Sequence, residues 1–209
     1  MTNKNIFVAC DISGQKEILD LLELIHEDIS GIKIGLQYIT QRSPVEIREL
    51  SKFKKPIFYD GKFFDIKNTL VESIKSLKDL NVNYATVHLL NGLDALNAAN
   101  QAAQKINLNL LGVSVLTSFG DEDLENLGFN DKVEDQVERL IKIAMEANLY
   151  GVVCSPLEIK MIKKIAPNLK CFTPGIRMDN KKDDQKRTMN ANEAIKEGSD
   201  CLIIGRPIT

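Results

Sequence analysis

The sequence predicts an α/β chain folded as a single (β/α)8 barrel, a TIM barrel, over residues 1–209, and three observations lead there. Eight short runs of β-formers read as nearly continuous apolar stretches, the pattern of parallel strands covered on both faces. Helical segments alternate with them along the whole chain. Polar residues collect where the strands should end, and barrels of this kind build their sites from those ends. A doubly wound open sheet fits the same alternation, because strand count alone does not prove closure.

The first strand is expected at 6–12 (IFVACDI), followed by a helix at 15–26. The second, at 32–36 (IKIGL), sets a lysine between two isoleucines and leads to a helix at 44–53. The third, at 57–62 (IFYDGK), is followed by a helix at 65–80, and the fourth, at 84–90 (YATVHLL), by one at 93–104. The fifth strand, at 110–116, precedes a helix at 133–147 in which Leu140, Ile141, Ala144 and Ala147 recur at helical spacing on one face. A strand at 151–155, a helix at 157–165, a strand at 170–174, a helix at 191–197 and a strand at 201–205 complete the alternation. The polar stretch 178–189 (MDNKKDDQKRTM) reads as a solvated loop after strand seven. The sequence stops at Thr209 with no eighth helix, which would bare apolar surface near strands eight and one.

Composition narrows the function classes. A hydrophobic content of 44% is ample for a core, and a net charge of −2 gives no sign of a polyanionic partner such as nucleic acid. No apolar run approaches the ~20 residues that span a bilayer, and the N-terminus has no signal-peptide pattern, so a cytoplasmic protein is expected. Cys10, Cys154, Cys171 and Cys201 stand singly in apolar runs and read as small buried hydrophobes in a reducing compartment.

The chemistry concentrates in residues 57–69, IFYDGKFFDIKNT. Side chains at i and i+2 leave a strand on one face, so Asp60 and Lys62 share a side, with Asp65 just past the strand end. A lysine held among carboxylates stays protonated and can deliver a proton to a carbanion. The same spacing also suits a surface ion pair with Asp65 as a helix N-cap. Around this motif, Asp11 ends strand one, Lys33 lies in strand two and His88 in strand four, and Thr117 and Ser118 follow strand five. Lysine is rarely buried without a partner, so Lys33 points to a paired charge at the barrel mouth, the other reading being a lysine that faces outward between helices. TPGIR (173–177) and IIGRP (203–207) each place a glycine near an arginine after one of the last two strands. That is the place and chemistry of a phosphate site, with backbone N–H groups and the Arg177 and Arg206 forks as donors. His88 could act as a catalytic acid, but one histidine in an apolar strand better suits a hydrogen-bonded structural role. His26, near a helix end, reads as a surface residue, and neither has neighbours that would make a metal site. Cys154 has no histidine near it in sequence to make it a nucleophile.

DGKFFDIKNT, VLTS (115–118), TPGIR, DQKRTM (184–189) and IIGRPIT (203–209) together resemble the orotidine 5′-phosphate decarboxylases, in order and over essentially the whole chain. The resemblance implies a carboxy-lyase of pyrimidine biosynthesis that makes UMP without metal or cofactor, as a homodimer with sites at the subunit interface. It implies that Lys62 protonates C6 of the pyrimidine, that Asp60 sits against the substrate carboxylate, and that Lys33 completes an alternating Lys–Asp–Lys–Asp array. Asp65 and Thr69 would cross into the partner's site. Asp11 would hold a ribose hydroxyl and Thr117 the pyrimidine edge, while Arg177, Gln185, Gly205 and Arg206 would bind the phosphate under the 178–189 loop.

The chain departs from that family's pattern at Lys67, where proline is usual, in the LLNG segment at Leu89–Gly92, and in the missing last helix. Three rival readings share some of its features. Magnesium-dependent sugar-phosphate decarboxylases and synthases of the same superfamily carry an acidic residue on strand two, where this chain has Lys33, which would repel the ion. A Schiff-base aldolase needs a neutral lysine, whereas Asp60 and Asp65 would hold Lys62 charged. A phosphate-binding barrel without turnover would leave the charge array without a purpose.

Overall fold

The computed structural model describes residues 5–12, 14–177 and 187–209. Seven parallel strands follow one another: β1 (Ile6–Ala9), β2 (Gly31–Ile34), β3 (Ile57–Phe63), β4 (Tyr84–His88), β5 (Asn109–Val113), β6 (Gly151–Val153) and β7 (Lys170–Thr173). A short parallel pair, β8 (Ile176–Arg177) and β9 (Met189–Asn190), lies outside the main sheet, and β10 (Cys201–Ile204) is the eighth barrel strand. Closure comes from β1, which pairs with β2 on one side and β10 on the other, with Phe7 opposite both Gly31 and Ile203. The sheet is therefore a closed (β/α)8 barrel, and the open-sheet alternative fails.

The helices are α1 (Gln15–Ile25), α2 (Leu36–Gln41), α3 (Pro44–Glu49), α4 (Lys67–Ser76), α5 (Leu93–Gln104), α6 (Asp121–Asn126), α7 (Val133–Glu146), α8 (Ile159–Ile165) and α9 (Ala191–Lys196). The longer helices bury an apolar stripe; on α7 it is Val137, Leu140, Ile141 and Ala144, as the spacing predicts. Inside the barrel, Phe7, Phe58 and Phe172 meet edge to face with centroids 5.9 to 6.4 Å apart, and Leu111, Cys201 and Ile203 fill the space around them. Gly31 makes room for this plug, since a Cβ there would stand 2.2 Å from the Phe7 ring. With one end filled by aromatic side chains, the mouth at the strands' C-terminal ends is left for polar groups.

The expected strands overrun the observed ones mainly at their C-terminal ends: β1 stops at Ala9, β4 at His88 and β5 at Val113. The residues past those points leave the ladder to form the loops that line the mouth. The helix expected at 44–53 is α3 followed by a 3-10 turn that ends where Lys54 turns left-handed at φ 54°. Lys67, the departure from the usual proline, opens α4 and pairs with Asp94 at 3.0 Å. No helix follows β10; residues 205–209 turn back, with Ile208 N–H donating to Gly205 O at 2.7 Å. Ile208 packs against both apolar layers outside the barrel and so covers part of the surface that an eighth helix would cover.

Candidate active site at the barrel mouth

β1, β2 and β3 bring three charges together. Lys33 projects from the middle of β2 and places its Nζ 3.1 Å from Asp60 Oδ2 and 3.4 Å from Asp11 Oδ2. Lys62 Nζ lies 2.8 Å from the same Asp60 oxygen. Asp60 is thus a carboxylate only 4% exposed, gripped by two ammonium groups. Burial alone would raise its pKa, but Lys33 and then Lys62 outweigh burial and hold it below the ordinary carboxylate value. Burial likewise works against the charge on Lys33, and Asp60 and Asp11 overcome it, so that its pKa is raised. Both groups are charged at neutral pH, in a place where an unpaired charge would cost several kcal/mol.

The spacing that puts Asp60 and Lys62 on one side works through an irregularity. The pairing of β3 with β4 shifts register between Tyr59 and Phe63, and Lys62 adopts the left-handed conformation at φ 47°. That conformation costs a non-glycine residue about 1–2 kcal/mol and so requires support from its surroundings. Support comes from Thr86 on β4, whose hydroxyl accepts from Lys62 N–H at 2.8 Å and donates to Asp60 Oδ1 at 2.9 Å.

Asp11, two residues past β1, turns its Oδ1 to accept from Gly35 N–H at 2.9 Å. A Cβ on Gly35 would lie 2.5 Å from that oxygen, so only glycine permits the approach. Asp11, Lys33, Asp60 and Lys62 line a cavity of about 500 Å³. Thr117 after β5, Arg177 in β8, and Gly205 and Arg206 after β10 line the same cavity. The mouth therefore presents a charge array together with two arginines and a glycine backbone. Such a cavity can hold a planar polar ring between an acid–ammonium cluster and an anion site.

Asp65 and Thr69 are not brought to this cavity. Both are exposed, and Asp65 Oδ1 accepts from Ile66 N–H at 2.7 Å, two residues ahead of α4, without capping the helix. Gln185 and most of the 178–189 loop lie outside the described residues. His88 is half-buried against Phe64 at 5.5 Å, and its pKa is lowered by burial and by Lys62, which suits the structural role expected of it.

Sequence reasoning missed several contributors. Thr86 is an ordinary β-former in the run YATVH, and its partners lie 24 and 26 residues away. Gln37 and Thr209 also line the mouth. Arg187, inside the quoted DQKRTM, forms a buried ion pair with Glu158 and donates to Leu116 O at 3.0 Å, tying the end of that motif to the loop that carries Thr117. Glu158 could have been noticed as the fourth residue of the capping box SPLE.

The sequence model of the orotidine 5′-phosphate decarboxylase / HUMPS family matches residues 4–209. Orotidine 5′-phosphate decarboxylase of Wolbachia pipientis subsp. Culex pipiens (strain wPip) is 38% identical over 205 residues, covering 98% of this chain and 91% of the relative. The enzyme of the same name from Legionella pneumophila (strain Corby) is 39% identical over 214 residues, covering 100% and 93%. Among solved structures, orotidine 5′-phosphate decarboxylase from Lactobacillus acidophilus superposes with a TM-score of 0.85 at 28% identity, over 98% of this chain and 91% of that one.

Proposed function

The chain belongs to the orotidine 5′-phosphate decarboxylase / HUMPS family and is a carboxy-lyase that converts orotidine 5′-monophosphate to UMP and CO2, and we propose that Lys62 carries its chemistry. The observation that carries this reading is the Asp60 carboxylate, buried at the barrel mouth with Lys62 at 2.8 Å and Lys33 at 3.1 Å. Loss of CO2 from C6 leaves an electron pair in the plane of the ring, where the π system cannot delocalise it. The site must stabilise that charge electrostatically, and a fixed ammonium beside the carbon does so without reorganisation. The same ammonium then gives its proton to C6.

In this reading Asp60 faces the departing carboxylate and aims Lys62, while Lys33 balances Asp60 and bonds Asp11. Asp11 holds a ribose hydroxyl and Thr117 meets the pyrimidine edge. Arg177, Gly205 and Arg206 take the phosphate, with Gln185 from the neighbouring loop. Lys33 also bears on the magnesium-dependent alternative, because its ammonium stands at the place on strand two where that chemistry needs a carboxylate. An ultraviolet assay of orotidine 5′-monophosphate in EDTA tests the reading. Undiminished conversion to UMP is expected, and activity that vanishes with the chelator and returns with Mg²⁺ would overturn it.

We further propose that the protein is a homodimer in which Asp65 and Thr69 complete the partner's site. Phe64 and Ile66 flank Asp65 and are 62% and 75% exposed, and Leu90 and Leu93 are exposed just after β4. An apolar patch beside polar residues that their own cavity does not use is in keeping with an interface. Lys62→Ala and Asp65→Ala protein should each be inactive alone and recover up to a quarter of the native rate on mixing, since statistical heterodimers hold one intact site in two. No recovery in a mixture shown to form heterodimers would refute the shared site.

The whole of residues 1–209 serves as one catalytic domain in this reading. Among the described residues no helix is long and apolar enough to cross a membrane. The four cysteines are free and buried, which accords with a reducing cytoplasm.

A further inference from the structure

Thr86 is fully buried on β4, and no role given above for substrate contact involves it. We propose that Thr86 is a positioning residue that fixes the backbone of Lys62 and the carboxylate of Asp60 relative to each other. The inference rests on the catalytic reading of those two residues.

Three observations meet at its hydroxyl. The β3–β4 ladder is interrupted between Tyr59 and Phe63, and the Lys62 N–H is taken there by Thr86 Oγ1 at 2.8 Å. The same oxygen donates its hydrogen to Asp60 Oδ1 at 2.9 Å. Asp60 Oδ2 is meanwhile shared by Lys62 and Lys33 at 2.8 and 3.1 Å. Both carboxylate oxygens are therefore held, and the group cannot rotate away from either ammonium. Lys62, left-handed at φ 47°, is held at its backbone by the atom that holds its ionic partner. One hydroxyl thus sets the direction of the lysine's Cα–Cβ bond and the plane of the carboxylate it must meet. Sequence gives this residue no distinction, because any β-branched side chain would suit a buried strand position.

The test separates the hydroxyl from the shape. Thr86→Val keeps the β-branched outline and removes the donor and acceptor, while Thr86→Ser keeps the hydroxyl and removes a methyl. Rates are expressed per UMP-binding site, so that loss of folded protein does not register as loss of catalysis. Thr86→Val should lower kcat about 10- to 100-fold with UMP affinity little changed, and Thr86→Ser should stay within about threefold of the native rate. A native kcat in Thr86→Val, or an equal fall in Thr86→Ser, would overturn the proposal. If Thr86→Val does not fold, Thr86→Ala takes its place; failure of both to fold, with Thr86→Ser normal, would assign the hydroxyl to the fold and likewise overturn a positioning role. Lys62→Ala is the control. If it remains active, the catalytic reading itself fails; if it is inactive while Thr86→Val turns over normally, only the present inference fails.

Discussion

Replacing Lys62 by alanine should abolish decarboxylation while leaving the barrel folded. The two halves of this expectation have separate grounds. The Lys62 side chain is about one-third exposed (33%) at the mouth, makes its ion pair there and belongs to none of the apolar clusters, so its loss opens no hole in the core. Alanine bears the left-handed conformation at φ 47° no better than lysine, so the backbone cost is unchanged and the Thr86 hydroxyl still receives the N–H. Asp60 keeps Lys33 at 3.1 Å and does not become an unpaired buried charge. Catalysis loses both the cation beside the developing carbanion and the proton donor. General acid catalysis alone accounts for about 10²–10⁴ in rate. Removing a preorganised electrostatic contact adds about 10²–10³, so a fall of at least ~10⁴ is expected.

Asp60→Asn should be nearly as damaging, and it should also destabilise the fold. The amide is the same shape, but Lys33, only 8% exposed, would then face Asp11 alone, at 3.4 Å. Removing one member of a buried ionic network leaves an uncompensated charge and typically costs about 3–5 kcal/mol. The pH dependence follows from the sign of the shift. The pKa of Asp60 is held below the ordinary carboxylate value of about 3.9, so its stabilising contribution is present above that pH and is lost as pH falls through the lower, folded value. Urea unfolding at neutral pH should therefore separate the native protein from Asp60→Asn by a wide margin. The margin should narrow as the acid falls below about pH 4. A gap that stays constant, or that widens in acid, would show that the carboxylate is not ionised and paired in the folded state.

Much of this was legible in the chain, and what was not has identifiable causes. The strands could be read because a barrel buries both faces of each, leaving continuous apolar runs such as IFVA and CLII. Closure could not be read, because it depends on pairing between Phe7 and Ile203, which are far apart in sequence. The helix α2 escaped notice because it has six residues and begins just after Gly35, its N-cap, whose backbone is committed to Asp11. The helix α6 is equally short, in a stretch rich in acidic residues with little apolar periodicity. In the site, Asp60, Lys62 and Lys33 stood out because charges inside apolar strands demand an explanation. Thr86 did not, since a threonine in a strand demands none. The irregularity at Lys62 was also hidden, because the i, i+2 rule gives the right side for the wrong reason: a regular strand would place the pair together, and here a shifted register and a left-handed residue do so. Asp65 and Thr69 show the limit of a single chain, since their proposed work lies on another copy.

The steady-state rate of orotidine 5′-monophosphate loss catalysed by Lys62→Ala bears most directly on the central claim, in protein whose melting temperature and UMP affinity match the native. Loss of at least ~10⁴-fold in kcat, with the folded protein still binding UMP, is the predicted result. A kcat within tenfold of the native value in that same protein would contradict it and send the proton donor elsewhere in the mouth.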